Sequence, residues 1–486
     1  MGFWKKFFTA FLSDALIGGG AKLAELHGVP IPETLVSGAK AAVEQWIDAK
    51  LGAWQRSAPC SRPEDNSILI KDAQAGITRL AKTGGESARD ALERFTKTKD
   101  PDLIIKALRS IAEDSARAAR NKEAAEAYRE VGAFSFFADT NAALEAYTKA
   151  ETLDPGDPET LNRLGLLYQR IGDLDKAQAF FGKIVTNGRD KETVARVLVN
   201  LGNLFYLRGN FSTAETYFGQ ALKANQARNN KAGIAAAYNG LGLISESRGD
   251  FDRAQKFYGE ALKLYEAANQ LGDTAVVYGN LGNVFLILGN LDRAEEAFKR
   301  ALRLNESLGR REGAALNYGG LGNLYGVMGD FSRAESAHRK SLEIAESMNA
   351  KQIVATAKAN LGNVYGSQGN HKAAEAMHAA ALDLNLALNN TEGMAYAYGN
   401  LGMAVFQQGD FQRARDLFHK ALALNEALGS REGQANNHEN LGLIAFRQNE
   451  RVLACSHWRN ARDLYSHVGL DHLRQKIEGW MSHAGC

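Results

Sequence analysis

The side chains best suited to chemistry are few in this sequence, and their spacing matches no common catalytic or metal-binding motif. Cys455, His457, His467 and His472 lie near one another, yet no pair among them has the spacing of a zinc site. Residues 18–22 are glycine-rich and end in a lysine, but they lack the GxxxxGK[ST] pattern of a phosphate-binding loop. Neither G-x-S-x-G nor HExxH occurs. The sequence therefore predicts no catalytic, cofactor-binding or metal-binding residues and no enzyme activity.

The composition is that of an ordinary folded protein without a preference for polyanions. At 486 residues, the chain exceeds a single compact core and must form several domains or a repeat array. Hydrophobic residues make up 45% and charged residues 23%, which excludes wholesale disorder and a polytopic membrane protein. The 58 Lys and Arg residues nearly balance the 56 Asp and Glu residues, so no nucleic-acid partner is predicted.

The cysteine content indicates a reducing compartment. Cys60, Cys455 and Cys486 are an odd number, and their spacing suits neither a disulfide framework nor a CxxC metal site. We therefore expect a cytoplasmic protein without a disulfide framework.

A pattern that returns every 40 residues dominates the second two-thirds of the chain. A Leu-Gly pair recurs seven times at this period. An alanine follows each leucine by 13 residues, a phenylalanine, tyrosine, tryptophan or histidine by 17, and an alanine or serine by 20. The leucines are Leu201, Leu241, Leu281, Leu321, Leu361, Leu401 and Leu441. Such self-similarity predicts a repeat array rather than one globular domain.

Weaker copies extend the array toward the amino terminus. A copy with a shorter loop begins at Leu164, and a fainter one lies around Val131, so we count nine repeats between about residues 121 and 467. No proline occurs after residue 160, as uninterrupted helices require. Residues from about 470 onward are expected to cap the array.

Each copy has the pattern of two antiparallel helices. In one copy, Leu281 and Phe285 belong to the apolar stripe of a first helix, and Phe298 belongs to that of a second. Between them, Gly289 supplies a left-handed helix stop and Asn290 is placed to cap the next helix. The pattern therefore predicts a series of helical hairpins.

Two kinds of position carry expectations about packing inside a hairpin. The glycine of each Leu-Gly pair, Gly282 in one copy, is expected to let a neighbouring helix approach closely, since an interior glycine costs a helix about 1 kcal/mol relative to alanine. His338 and His378 take the aromatic position of the second helix in adjacent copies. We expect both histidines to serve as core residues.

The order Leu-Gly, aromatic, Gly-Asp/Asn, Ala, aromatic, Ala resembles the tetratricopeptide repeat over about 70% of the chain. Its 40-residue form is similar to the repeats of kinesin light chain, of spindle-orientation adaptors and of bacterial regulatory proteins. The resemblance implies an all-α fold, a right-handed α-solenoid of about nine hairpins preceded by a smaller helical region. It also implies a protein or peptide partner in the concave groove that the first helices line.

Asparagines flank the Leu-Gly pairs and are the candidate partner-binding residues. They stand directly before the leucine or directly after the glycine, three residues apart on one helix face. Their 40-residue repetition predicts a polar ladder that can hold a peptide backbone. Matching asparagines in related arrays contact extended peptides, and the resemblance implies that role here. The nine residues are Asn200, Asn203, Asn280, Asn283, Asn323, Asn360, Asn363, Asn400 and Asn440.

One alternative for these asparagines is hydrogen bonding between adjacent repeats. The family also contains a clamp for acidic C-terminal peptides, which requires basic residues on the same face. Arg196 is the one candidate for such a residue in this sequence, so a clamp of that kind is not expected.

Residues 1–17 have the pattern of an aromatic-rich amphipathic helix. The helix is too short and too interrupted to span a membrane, and no cleavage pattern of a secretion signal follows it. Three roles stay open: contact with a membrane surface, docking onto the array, and formation of a homo-oligomer. The apolar face carries Phe3, Trp4, Phe7, Phe8, Phe11 and Leu12.

The sequence divides into five predicted segments. A second amino-terminal helix is expected from Pro32 to about Trp54, and Pro59 and Pro63 mark a linker. Further helices, broken at residues 84–85 and before Pro101, lead into the array. The segments are an amphipathic helical module at 1–56, the linker at 57–66, a helical region at 67–120, the solenoid at 121–469 and a capping helix with tail at 470–486.

These features together predict an interaction adaptor or scaffold that binds a protein or peptide in the groove of the solenoid. The alternative is a membrane-associated or oligomer-forming effector driven by residues 1–17, with the array as its sensor. The predicted location is cytoplasmic, at the membrane periphery under the alternative.

Overall fold

Helices account for all regular secondary structure in the described part of the chain. The structure, a computed structural model, describes residues 31–54, 63–83, 86–136, 139–188 and 190–486. The predicted amphipathic helix at residues 1–17 lies outside these ranges, as does Cys60.

The described residues contain 23 helices, numbered here in chain order. They are α1 (Glu33–Trp54), α2 (Pro63–Thr83), α3 (Glu86–Thr98), α4 (Asp102–Arg117), α5 (Asn121–Ser135), α6 (Thr140–Leu153), α7 (Pro158–Arg170), α8 (Leu174–Asn187), α9 (Lys191–Leu207), α10 (Phe211–Ala227), α11 (Lys231–Ser247), α12 (Phe251–Ala267), α13 (Leu271–Ile287), α14 (Leu291–Ser307), α15 (Arg311–Val327), α16 (Phe331–Ser347), α17 (Lys351–Ser367), α18 (His371–Ala387), α19 (Thr391–Gln407), α20 (Phe411–Ala427), α21 (Arg431–Arg447), α22 (Arg451–His467) and α23 (Asp471–Ala484).

The chain divides into two compact units, residues 1–204 (unit 1) and residues 205–486 (unit 2). In unit 1, α5 pairs with α6 and α7 with α8, while α2 packs against α5. In unit 2, α11 to α22 form six successive hairpins, and α23 packs against α22. These eight helix pairs, two in unit 1 and six in unit 2, confirm the predicted all-α fold of successive helical hairpins. The division into units falls within α9, whereas the sequence predicts a segment boundary near residue 120.

Most turns between the helices of a hairpin have the predicted geometry. Gly289 has a positive φ of 73°, and Asn449 takes the same role in the last copy with a φ of 62°. Asp250 caps α12 by accepting a hydrogen bond from the backbone nitrogen of Arg253 at 3.1 Å. Asn290 stands at the matching position of α14, but its side chain makes no capping hydrogen bond.

The Leu-Gly glycines lie where the two helices of a hairpin touch. A Cβ on Gly282 would lie 2.6 Å from Cε1 of Phe298, which is closer than a packed structure permits. Gly242 has the same relationship to Tyr258 at 2.5 Å. The prediction that these glycines permit close helix approach is confirmed, and the partner is the aromatic residue 16 positions later in the same hairpin.

His338 and His378 are core residues, as predicted. Their exposed fractions are 2% and 3%, and their rings fill the aromatic position beside Gly322 and Gly362. Burial lowers the pKa of each imidazole from the ordinary value of 6.5 to about 4. Both histidines are therefore neutral at neutral pH.

A disulfide joins Cys455 and Cys486, contrary to the expectation from the sequence. The helix α23 packs back against α22 and brings residue 486 beside Cys455, with the two Cα atoms 5.6 Å apart. Cysteine number and spacing do not reveal such a return of the chain. The cysteines therefore give no argument for a reducing compartment.

The amino-terminal helices differ from the prediction at one boundary. The helix α1 agrees with the predicted second helix, but α2 begins at Pro63, so residues 63–66 are helical rather than part of a linker. Proline is favourable at the first position of a helix because it has no backbone N–H to leave unpaired there. Among the described helices, none combines the length and apolar character needed to cross a membrane.

Candidate functional site

The first helices of the repeats in unit 2 form a continuous surface. The helix α13 contacts α15, α15 contacts α17, and α17 contacts α19. Successive residues of an α-helix are turned by about 100° around its axis. Six positions of each first helix therefore lie within an arc of about 120° on its surface: those five, two and one residues before the Leu-Gly leucine, and those two, five and six residues after it. We call the residues at these positions in α13, α15, α17 and α19 the groove face. In α13 they are Val276, Gly279, Asn280, Asn283, Leu286 and Ile287, and the others follow 40, 80 and 120 residues later.

Three of the predicted asparagines are exposed on the groove face. Asn283, Asn323 and Asn363 each stand directly after a Leu-Gly glycine. Asn363 donates through Nδ2 to the hydroxyl of Tyr396, a residue of the next first helix, at 3.0 Å. An exposed carboxamide offers two donors and one acceptor, the groups that pair with a peptide backbone. The exposure of these residues leaves their carboxamides accessible, and their role in partner binding stays a prediction.

The asparagines directly before the leucine are half-buried. Asn280, Asn360, Asn400 and, in α21, Asn440 share this position. Asn280 donates through Nδ2 to Oδ1 of Asn239 in the preceding repeat at 3.3 Å. This contact is the alternative that the sequence left open, a hydrogen bond between adjacent repeats.

The two predicted asparagines of unit 1 are enclosed. Asn200 and Asn203 have exposed fractions of 2% and 4%, and Asn200 donates through Nδ2 to Oδ1 of Asn162 at 3.0 Å. Arg196 is also enclosed and is paired with the carboxylate of Glu159. Because Arg196, Asn200 and Asn203 are all buried, we remove them from the candidate surface.

A set of apolar side chains on the groove face was not predicted from the sequence. These side chains stand five residues before or six after a Leu-Gly leucine, which places them on the same helix face as the asparagines. The 40-residue register contained this signal, but apolar residues in a helix are first assigned to the core. They are Ile287, Leu316, Val327 and Tyr396, with exposed fractions of 57%, 55%, 65% and 53%.

The groove-face positions carry no charged side chain, whereas the second helices are densely charged. No residue of the groove face is Asp, Glu, Lys or Arg. The second helices carry dense ion pairs instead, such as Lys299 with Glu295 at 2.8 Å and Arg300 with Glu296 at 2.6 Å in α14. The groove face therefore offers amide groups and apolar area without charged side chains of its own.

The candidate residues of the amino-terminal helix have no place in the described structure. Their proposed contact with a membrane or with a second copy of the chain stays a prediction. They are Phe3, Trp4, Phe7, Phe8, Phe11 and Leu12, all outside the described residues.

A series of helical hairpins with an exposed face of amides and apolar groups defines a helical-repeat scaffold of the α-solenoid class. The chain belongs to the tetratricopeptide repeat family, whose profile matches residues 158–227, 193–267, 273–347 and 353–427, more than half of the chain. The resemblance seen in the sequence is confirmed. Proteins of this family are generally non-enzymatic interaction scaffolds.

Parts of the chain match solved structures of other proteins. The signal transduction ATPase with numerous domains that carries a tetratricopeptide repeat sensor, from Pyrococcus horikoshii, is 13% identical with a TM-score of 0.50, and the match covers 86% of this chain and 68% of that chain. BtubC (BKLC) from P. vanneervenii is 25% identical over 44% of this chain and 90% of that chain, with a TM-score of 0.38. PilF from Pseudomonas aeruginosa is 18% identical over 48% of this chain and 96% of that chain, with a TM-score of 0.36. No curated protein matches the chain.

Proposed function

We propose that this protein is an interaction adaptor that binds a peptide segment of a partner protein along the groove face of unit 2. The observation that carries the proposal is the row of exposed amides, Asn283, Asn323 and Asn363, at a fixed spacing of 40 residues. These side chains are exposed and therefore do not stabilise the core, and asparagine is a mediocre helix former. Their recurrence on an open face favours a role in recognition.

The chemistry of the face suits an extended peptide. The carboxamides supply donors and acceptors to the peptide backbone, whose own groups must stay paired when they leave water. The exposed side chains of Leu316 and Tyr396 supply apolar area to alternate side chains of the peptide. The mechanism is equilibrium binding, and it requires no covalent step.

The test replaces the three exposed asparagines together with alanine. Affinity capture from a native extract, followed by mass spectrometry, identifies proteins retained by the wild-type chain, and calorimetry with each purified partner measures its affinity. Since a hydrogen bond contributes about 1 kcal/mol, the triple variant is expected to bind at least about tenfold more weakly. Helix content measured by circular dichroism is expected to be unchanged, since the three side chains are exposed.

A matched variant on the second helices controls for surface change. Ser332→Ala, Gln412→Ala and Asn460→Ala remove three exposed polar side chains from α16, α20 and α22. This control is expected to bind the partner with wild-type affinity. If both triple variants bind equally well, the groove face is not the binding surface.

A further inference from the structure

We propose that the partner segment is uncharged and apolar, and that it lies directly on helix backbone at the glycines of the groove face. This inference rests on the proposed function and names the class of partner. It is carried by two features of α13, α15, α17 and α19: the absence of charge from an exposed surface, and glycines that internal packing does not require.

The absence of charge is confined to one side of these helices. Charged residues make up 23% of the chain, and the same helices carry Asp273, Arg311 and Lys358 on other sides. Glu392 lies one turn before Tyr396, at the amino-terminal end of α19 and outside the groove-face positions. None of the groove-face positions in α13, α15, α17 and α19 is charged, although many of their side chains are exposed. Charge returns at the equivalent positions of the flanking helices α11 and α21, which carry Glu246, Glu439 and Arg447. A charge buried against such a surface would lose hydration without gaining a counter-charge. The face therefore selects uncharged segments and discriminates against charged ones.

Four glycines of the groove face have no packing reason to be glycine. A Cβ on Gly326 would meet no atom within 4 Å. A Cβ on Gly319, Gly366 or Gly399 would meet nothing closer than 3.9 Å, an ordinary van der Waals contact. The Leu-Gly glycine Gly282 differs, because its added Cβ would clash with Phe298 at 2.6 Å.

These helical glycines lower the stability of the free protein, since alanine is a better helix former at such positions. Each such glycine lowers helix stability, and no neighbouring residue of the protein requires it. A binding partner that contacts the helix backbone at these positions would explain the glycines. Because these glycines have no side chains, the helix backbone is accessible between the exposed side chains of Leu316 and Tyr396. A peptide with small or apolar side chains fits that surface, while Asn283, Asn323 and Asn363 pair with its backbone.

The test uses a random dodecapeptide phage library panned against the full-length protein. A counter-screen uses the variant Gly319→Ala, Gly366→Ala and Gly399→Ala. Peptides that depend on the groove face are expected to contain fewer charged residues than the unselected library. Their affinity is expected to change less than about twofold between about 50 and 500 mM NaCl, because screening acts on charges.

The glycine variant separates a binding defect from a folding defect. Its melting temperature is expected to equal or exceed that of the wild type, while the selected peptides bind at least about tenfold more weakly because the added methyl groups occupy their contact surface. The matched control is Gly219→Ala with Gly259→Ala, on α10 and α12, where an added Cβ also meets nothing within 4 Å. This control is expected to bind the selected peptides like the wild type.

The remaining outcomes overturn specific parts of the proposal. Groove-dependent peptides that are rich in charged residues overturn the inferred partner class and leave the proposed function in place. Peptides that lose affinity for the asparagine variant but not for the glycine variant overturn the backbone contact alone. If no peptide depends on either variant, the proposed function fails as well. Self-association that the glycine variant abolishes would assign the face to a second copy of the chain and overturn the proposal.

Discussion

Gly282 and Phe298 set the distance between the two helices of their hairpin, because the ring of Phe298 occupies the space that a Cβ on Gly282 would need, 2.6 Å from its Cε1 atom. Equivalent contacts join Gly322 to His338 and Gly442 to Trp458. In each of these repeats, one glycine and one ring thus set the distance between the two helices of the hairpin.

This contact predicts that Gly282→Ala destabilises the protein although alanine favours helix formation. Moving a packed ring typically costs about 1–3 kcal/mol, which exceeds the gain in helix propensity. Urea unfolding followed by circular dichroism measures the change. Gly259→Ala is the control, since its added Cβ meets nothing within 4 Å, and it is expected to raise stability by up to about 1 kcal/mol. Equal effects of the two substitutions would contradict the packing role.

A second prediction concerns a pair that joins successive repeats, Asn425 and Gly433. A Cβ on Gly433 would lie 2.3 Å from Oδ1 of Asn425. Gly433→Ala is therefore expected to cost about 1–3 kcal/mol in the wild type and little in the Asn425→Ala background. A double-mutant cycle on urea unfolding measures the coupling, expected to be about 1 kcal/mol or more. Additive effects would show that the two positions are independent.

The sequence itself contains a natural control for this pair. Three other repeats place an asparagine against a glycine in the same way, namely Asn225 with Gly233, Asn305 with Gly313, and Asn385 with Gly393. The repeat that has Ala345 at the asparagine position has Ile353 at the glycine position. The larger residue is present where the asparagine is missing.

A third prediction is a loss of stability on acidification caused by His338 and His378. Burial lowers their pKa from 6.5 to about 4, so the unfolded state binds more protons than the folded state below pH 6.5. The stability contributed by the neutral rings is complete above pH 6.5 and is lost as the pH falls toward 4. Between pH 7 and pH 5, each histidine is expected to cost about 2 kcal/mol.

The variant His338→Phe with His378→Phe provides the comparison, because Phe298 and Phe418 fill the same position in other repeats. Urea unfolding at both pH values is expected to show a larger acid-induced loss in the wild type than in the variant. A variant that loses as much stability as the wild type would show that other groups cause the effect.

A fourth prediction follows from the disulfide between Cys455 and Cys486. The denatured, unreduced protein is expected to show one reactive thiol per chain, that of Cys60, and three after reduction. Reduction removes a cross-link between residues 31 apart, and chain entropy then predicts a loss of about 3–4 kcal/mol. Thiol titration and thermal unfolding with and without reductant measure both effects. In Cys455→Ser, reductant is expected to have no effect on stability, and three reactive thiols in the unreduced wild type would exclude the disulfide.

Much of the fold could be predicted because each hairpin is a local structure. The spacing of Leu281, Phe285 and Phe298 fixes helix faces, and Gly289 fixes a turn, all within about 20 residues. The site was predictable only in part. Asn283 and Asn363 are exposed where the register places them, but Asn200, which precedes Leu-Gly-Asn as Asn360 does, is buried.

The repeated pattern by itself determined the two-helix design of each repeat, the residues that face its core and the face on which the asparagines repeat, because these depend on neighbours within one hairpin. Only the tertiary structure decided which copies of that face are open, that Leu316 and Tyr396 stand exposed beside the amides, and that Cys455 meets Cys486. Exposure and disulfide pairing depend on which distant segments pack together, and a periodic sequence gives every copy nearly the same local pattern.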